Sequence, residues 1–214
     1  GAGVAVGDIN NDGLLDIFFC GNQVGDRLYL NQGGMMFKDI TTAAGIEDDG
    51  SWSMGATMAD VNADGLLDIY VSKHFYEKSE KRSNKLYINQ GDLTFNDDAK
   101  QLGLADEGYS VQSNFFDMDN DGDLDVFVVN QPPAWLHLMR DITNLNNPIF
   151  SCHLYENENG LFKRITAKAG VRTYHYALNA TTTDFDRDGD VDLYLPVDYD
   201  EADTLGQNDG SGKF

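Results

Sequence analysis

Short apolar runs, separated by polar and glycine-containing stretches, recur along the chain. Ile17-Phe18-Phe19, Ile69-Tyr70-Val71, Val126-Phe127-Val128-Val129 and Leu193-Tyr194-Leu195 are rich in β-branched and aromatic residues. They are too short for helices and predict buried strands. A second set follows at Leu28-Tyr29-Leu30-Asn31, Leu86-Tyr87-Ile88-Asn89 and Leu154-Tyr155-Glu156-Asn157. After each comes a glycine-containing turn, a phenylalanine (Phe37, Phe95, Phe162) and a closing pair, Gly45-Ile46, Gly103-Leu104 or Gly170-Val171. An aromatic residue (Trp52, Tyr109, Tyr176) stands ahead of the later apolar runs, and Leu205 to Asn208 with Phe214 repeats the template more weakly. No stretch sustains helical spacing, although residues 134–145 are expected to form a short helix.

One unit therefore runs strand, loop, strand, variable segment, strand, Gly turn, strand. Four short antiparallel strands in about 50 residues is the size and content of a β-propeller blade. The predicted class is all-β, a single partial propeller with blades at 1–47, 48–105, 106–171 and 172–214, the last incomplete.

Between the first two strands of every unit lies a nine-residue acidic segment, D-x-[DN]-x-D-G-x-x-D. It places Asp8, Asn10, Asp12 and Asp16 in the first unit, and Asp60, Asn62, Asp64 and Asp68 in the second. The third carries Asp117, Asp119, Asp121 and Asp125, and the fourth Asp184, Asp186, Asp188 and Asp192. A hard cation such as Ca²⁺ takes six to eight oxygen ligands in a flexible cage. Alternate residues of a tight loop point inward, so positions 1, 3 and 5 supply side-chain oxygens. Glycine at position 6 permits a sharp turn. Position 7 (Leu14, Leu66, Asp123, Asp190) offers its backbone carbonyl, which suits leucine at two of the four sites, and position 9 supplies the last carboxylate. An EF-hand needs an acidic residue at position 12; here that position is Phe19, Val71, Val128 or Leu195. Transition metals would draw on His or Cys, and neither recurs with the repeat. The expectation is four Ca²⁺ sites. Metal-free turns built from Asp, Asn and Gly are the competing reading.

Charge agrees. The formal net charge is −21, with 36 acidic against 15 basic residues, which excludes nucleic acid and anionic membranes as partners. At 41% hydrophobic the chain still has enough apolar residues for a core. Loops three and four each set five aspartates within nine residues and repel themselves without metal. At about 1 mM Ca²⁺ a site with a Kd near 10⁻⁴ M adds on the order of 1.4 kcal/mol of stability. The fold is thus expected to depend on a millimolar calcium supply, which points outside the cell. Cys20 and Cys152 make no disulfide framework and are not expected to pair. No apolar run is long enough to span a membrane.

These acidic loops, the small-residue runs Gly1-Ala2-Gly3-Val4 and Met54-Gly55-Ala56-Thr57 ahead of them, and the Leu-Tyr-x-Asn strands resemble FG-GAP/VCBS repeats. Such repeats form the calcium-bearing blades of integrin α-chain propellers and of many bacterial surface proteins, and the wording is most similar to the ASPIC/UnbV, or cartilage-acidic-protein-like, branch. The resemblance implies an acidic loop between the first and second strands of each blade, with the residues above as ligands. It also implies a ring of seven blades, the remainder coming from further sequence or another chain.

Strand alternation puts the calcium loops at one end of each blade and the variable segments at the other. The calcium-free face is expected to carry His74, Phe75, Tyr76, Trp135, His137, Tyr174 and His175, and to meet a protein or glycan partner. The leading expectation is a non-catalytic extracellular binding or scaffold module, with a bacterial outer surface favoured. The alternative is a polysaccharide lyase or hydrolase that uses His74, His137, Tyr174 or His175.

Overall fold

A computed structural model describes residues 3–46, 49–76, 78–133, 147–174, 176–198 and 202–214. The expected helix at 134–145 lies outside these residues. The architecture is all-β, in four antiparallel sheets whose strands follow chain order. The first sheet holds β1 (Val4–Gly7), β2 (Asp16–Phe19), β3 (Arg27–Asn31) and β4 (Phe37–Asp39). The second holds β5 (Trp52–Ala59), β6 (Asp68–His74), β7 (Lys85–Asn89) and β8 (Phe95–Asp97). The third holds β9 (Ser110–Phe116), β10 (Asp125–Asn130), β11 (His153–Glu158) and β12 (Leu161–Arg164). The fourth has three strands among the described residues, β13 (Thr181–Thr183), β14 (Asp192–Leu195) and β15 (Thr204–Gly206). The chain divides into two compact units, Gly1–Glu107 and Gly108–Phe214, with two sheets in each.

Each acidic segment joins the first two strands of its sheet. The hairpin registers close on Gly7↔Asp16, Ala59↔Asp68, Phe116↔Asp125 and Thr183↔Asp192, so the ninth residue of every motif is also the first residue of a strand. The apolar runs sit where expected. β6 and β10 are buried along their whole length, including the polar residues that flank their apolar runs. In the first unit Ala5, Phe18 and Leu28 of the first sheet pack against Ile69, Val71, Tyr87 and Phe95 of the second, forming one core between two sheets.

The closing glycines have a specific task. α1 (Ala99–Leu102) and α2 (Thr166–Ala169) are single helical turns capped by Gly103 and Gly170 in the left-handed conformation. The first sheet ends in the same way at Gly45, with φ +77°. A phenylalanine from the next repeat bonds directly to this turn, on β8 in the second sheet and at the chain's last residue, outside any strand, in the fourth repeat. Phe95 N–H donates to Ala44 O at 2.9 Å, and Phe214 N–H donates to Ala169 O at 2.9 Å. A Cβ on Gly45 would lie 3.0 Å from Phe95 O, and one on Gly170 would lie 2.8 Å from Phe214 O. At Gly45 and Gly170 the Gly-apolar pair thus marks where one repeat is fastened to the next within its unit. Phe214 occupies the position in the fourth repeat that Phe95 holds in the second.

A buried ion pair also fastens the first two sheets. Lys73 Nζ, on β6, lies 3.2 Å from Asp26 Oδ2 and 2.8 Å from Ser53 Oγ, and both charged side chains are 2% exposed. Asp26 also accepts from Ser53 Oγ at 3.0 Å and from Gly21 N–H at 2.7 Å. Cys20 and Cys152 are buried free thiols. Burial pushes the Cys20 thiol up to about 12, with the Asp26 charge adding to the effect. Removing one member of a buried pair strands the other charge. Lys73→Met is therefore expected to cost about 3–5 kcal/mol in urea denaturation. The double variant Lys73→Met/Asp26→Asn is expected to lose clearly less than the sum of the two single changes.

Candidate metal centres

The four loops share one internal wiring. The first aspartate accepts from two backbone amides further along its loop. Asp8 takes Asp12 N–H at 3.1 Å and Gly13 N–H at 2.7 Å; Asp60 takes Asp64 N–H at 3.1 Å and Gly65 N–H at 2.8 Å. Asp117 takes Asp121 N–H at 3.2 Å and Gly122 N–H at 3.0 Å; Asp184 takes Arg187 N–H at 2.6 Å and Gly189 N–H at 3.1 Å. Position 5 accepts from the amide of position 7, from Asp12–Leu14 at 2.8 Å to Asp188–Asp190 at 3.0 Å. These bonds curl the loop so that its carboxylates converge. They need a left-handed residue at position 6, where Gly13, Gly65, Gly122 and Gly189 have φ between +84° and +100°. They need another at position 4, where Asn11, Ala63, Asn120 and Arg187 have φ between +57° and +69°. Position 4 carries no charge pattern, and its role does not show in the motif. Asparagine at two of the four copies, a residue that tolerates this conformation, is the one trace it leaves.

Position 9 differs from the rest. Asp16, Asp68, Asp125 and Asp192 are between 0 and 2% exposed. One oxygen of each accepts from the amide of position 2, at 3.0 Å (Ile9), 3.1 Å (Val61), 2.9 Å (Met118) and 2.9 Å (Phe185). The other accepts from the asparagine amide that ends each Leu-Tyr-x-Asn segment, or its counterpart Leu205–Asn208. Those distances are 2.7 Å (Asn31), 2.8 Å (Asn89), 2.8 Å (Asn157) and 2.8 Å (Asn208). Burial pushes Asp68 up to about 6 and Asp125 up to about 7, against two backbone hydrogen bonds that favour the charged form. Asp16 is raised for the same reason.

The donor set fits a hard divalent cation best in the third loop. One oxygen each from Asp117, Asp119 and Asp125 lie within 4.8 Å of one another. Asp119 Oδ1 is buried without a hydrogen-bond partner, an arrangement that costs free energy unless something else satisfies the oxygen. Burial, then the neighbouring Asp121 charge, raises the Asp119 carboxyl. In the fourth loop Asp184, Asp186 and Asp188 converge similarly and are exposed. In the first two loops position 3 is asparagine, and its amide donates to position 5 at 3.0 Å in both (Asn10 to Asp12, Asn62 to Asp64). Its Oδ1 is the atom that could serve a cation.

The residues expected on the opposite face are less uniform. β6 runs from Asp68 in the second acidic loop to His74, so Phe75 and Tyr76 stand at the end of the sheet away from that loop. Phe75 is 56% exposed, has a left-handed backbone with φ +76°, and stacks on Trp52 with ring centroids 4.7 Å apart. Tyr76 is exposed and meets the Phe75 ring edge-on. His74 departs from its expected place in an exposed loop. It is the last residue of β6 and is buried, and that burial, with the Arg82 charge nearby, pushes its imidazole down to about 4. β6 is longer than its apolar core suggests, because Trp52↔His74 and Ser53↔Lys73 extend the ladder past a bulge. Tyr174 is half-buried. Trp135, His137 and His175 lie outside the described residues.

A family model described as FG-GAP-like repeat matches residues 2–71 and 78–128. Mouse (Mus musculus) cartilage acidic protein 1 is 28% identical over 204 residues, 91% of this chain and 28% of that protein. Chicken (Gallus gallus) integrin alpha-8 is 29% identical over 137 residues, 57% of this chain and 13% of that protein. The chain thus spans under a third of the length of these relatives. Among solved structures, the V. cholerae biofilm matrix protein Bap1 superimposes with a TM-score of 0.49 at 15% identity, over 99% of this chain and 29% of that one. That likeness is too slight to bear on the fold.

Without metal, the buried carboxyl of Asp125 should leave a signature in pH. Its folded-state value of about 7 lies above the ordinary 3.8, so between these values the folded form holds a proton that the unfolded chain has lost. Its contribution favours folding at low pH and is lost as pH rises through 7. In EDTA, the melting temperature of the wild type relative to Asp125→Asn is expected to fall between pH 5 and pH 8. A difference independent of pH would show that Asp125 titrates normally.

Proposed function

Because this chain belongs to the FG-GAP-like repeat family, we propose that it is a calcium-stabilised extracellular binding module, each acidic loop holding one Ca²⁺ and the opposite end of the sheets meeting a partner. The observation that carries the calcium half is the buried, unpartnered Asp119 Oδ1 beside Asp117 and Asp125. A carboxylate oxygen in that position is poorly solvated and has no internal donor, and a divalent cation supplies what it lacks. The ligand set is Asp117, Asp119, Asp121, the carbonyl of Asp123, and Asp125. Its counterparts are Asp8, Asn10, Asp12, Leu14 and Asp16; Asp60, Asn62, Asp64, Leu66 and Asp68; and Asp184, Asp186, Asp188, Asp190 and Asp192. The sheets act as blades of a propeller whose other blades lie outside this span. The names of the relatives, a cartilage protein and an integrin, support an extracellular setting.

The partner face in the first unit centres on Phe75 and Tyr76. A bulky aromatic residue in a left-handed conformation is strained, and Phe75, stacked on Trp52, still leaves more than half of its surface exposed. Beside Tyr76 opens a cleft of about 310 Å³ lined by Asn22, Gln23, Val24, Gly50 and Ser51. Aromatic faces next to amide and hydroxyl groups suit a protein loop or a glycan chain. The two described histidines, His74 and His153, are both buried, which favours binding over proton-transfer chemistry here.

Thermal unfolding in EDTA, then with added Ca²⁺ or Mg²⁺ and with bound metal counted in parallel, tests the calcium half. The expected result is a large Ca²⁺-selective rise in melting temperature and about four ions per chain; no rise and no bound metal would leave the loops as turns only. For the partner face, retention of the chain on a panel of immobilised polysaccharides and matrix proteins is expected to drop at least fivefold in Phe75→Ala/Tyr76→Ala, with the calcium-loaded melting temperature held. Equal retention of variant and wild type would move the partner site elsewhere.

A further inference from the structure

A continuous relay of hydrogen bonds joins the two acidic loops within each compact unit. In the first unit, Ile9 N–H donates to Asp16 Oδ2 at 3.0 Å, and Ile9 O accepts from Asn89 Nδ2 at 2.8 Å. Asn89 N–H then donates to Asp68 Oδ1 at 2.8 Å. The relay thus runs from position 9 of one loop, through position 2 of that loop and one asparagine, to position 9 of the next. The second unit repeats it. Met118 N–H donates to Asp125 at 2.9 Å, Met118 O accepts from Asn208 Nδ2 at 2.7 Å, and Asn208 N–H donates to Asp192 at 2.8 Å. Both asparagines are buried, at 3% and 4% exposure. A second strut runs the other way. Asn11 Nδ2 donates to Gly65 O at 3.0 Å, and Asn120 Nδ2 donates to Asp190 Oδ1 at 2.9 Å. Position 4 of one loop is in this way attached to the hinge region, position 6 or 7, of its neighbour.

We propose that Asn89 and Asn208 are positioning residues through which Ca²⁺ bound in one loop raises the affinity of the neighbouring loop in the same unit. This rests on the calcium reading above. A metal-free loop of converging carboxylates repels itself and samples other arrangements; a cation fixes the positions of its ligands. Fixing Asp16 holds the Ile9 N–H and with it the Ile9 backbone, whose carbonyl accepts from Asn89 Nδ2; the Asn89 backbone N–H in turn holds Asp68. Asn11 does the same for the Gly65 hinge. Ordering the first loop therefore removes part of the ordering cost that binding in the second must otherwise meet, which is positive coupling. Repulsion between the two cations works against it, and each loop's own aspartates reduce that repulsion. Coupling between sites typically falls in the range of about 5–150-fold.

The test is native mass spectrometry of the full chain during calcium titration. Coupled filling depletes the one-ion and three-ion species below the statistical distribution for independent sites. Asn89→Ala/Asn208→Ala is expected to bring both species back toward that distribution. Asn31→Ala is the control, since Asn31 bonds within its own sheet, to Leu15 O at 3.0 Å and Gly33 N–H at 2.9 Å. A merely structural role would lower the metal-free melting temperature in all these variants and leave the filling pattern of wild type. Four ions bound with a statistical pattern in wild type would overturn the coupling while leaving the calcium sites intact. No bound calcium at all would overturn the calcium reading, and the coupling with it. Depletion that persists in the asparagine variant would overturn the assigned route. Should that variant fail to fold, Asn11→Ala/Asn120→Ala, changed at exposed struts, tests the same link and is expected to weaken the depletion.

Discussion

Beneath each acidic loop lies a carboxylate with almost no access to solvent, held by one amide from the loop and one from the asparagine at or just past the end of the neighbouring strand. Everything above it depends on this contact. Asp16, Asp68, Asp125 and Asp192 are at once the last residues of the loops and the first residues of β2, β6, β10 and β14, so the loop has no freedom to rotate about its exit. The amides of Ile9, Val61, Met118 and Phe185 are drawn down on the same groups. A buried charge is costly unless hydrogen bonds and neighbouring charge compensate it, and the compensation here is partial. Two backbone donors per carboxylate do not bring Asp68 or Asp125 down to the ordinary carboxylate range.

That deficit gives the chain's acidity a structural meaning. The negative charge is not spread as a solvating coat alone. Much of it is concentrated in four short loops, each with a buried group at its base and further carboxylates above. One of the positive charges placed inside the first unit, Lys73, sits on β6 beyond Val71 and is matched to Asp26 from the neighbouring sheet. One end of β6 therefore carries uncompensated negative charge and the other a compensated pair. A binding face at the second end can differ in character from the loops at the first although both are built on one strand.

The strands, their order and the acidic loops were legible in the sequence because each depends on residues close together along it. Alternation, β-branching and the nine-residue spacing are local signals, and the repeat multiplies them. Features that depend on distant residues were not legible. Lys73 and Asp26 are 47 positions apart, and Asn89 and Ile9 are 80 apart. The Leu-Tyr-x-Asn segment announces a strand, but its asparagine gives no hint that its side chain reaches the loop of the preceding sheet. His74 was misplaced for a related reason: a bulge at Ser53/Gly55 lets β5 and β6 stay paired beyond the apolar run. The left-handed conformation at position 4 was hidden because alanine and arginine occupy it in two copies and mask the asparagine signal.

The fastening of one sheet to the next bears on synthesis. Ser53 N–H, Asn89 Nδ2 and Phe95 N–H, all from the second sheet, end on carbonyls of the first: Gly21, Ile9 and Ala44. A ribosome releases the acceptors before the donors. When the first sheet has emerged, its strands can pair with one another, yet those carbonyls are still hydrated and the face bearing Ala5, Phe18 and Leu28 is uncovered. Within the first unit, translation through the second sheet is therefore the step that satisfies those carbonyls and covers that face. Nearest-neighbour stability of this kind is the rule for repeat arrays. In the first unit the bonds run both ways, since Asn11 Nδ2 of the first loop donates to Gly65 O of the second, so each sheet completes the other.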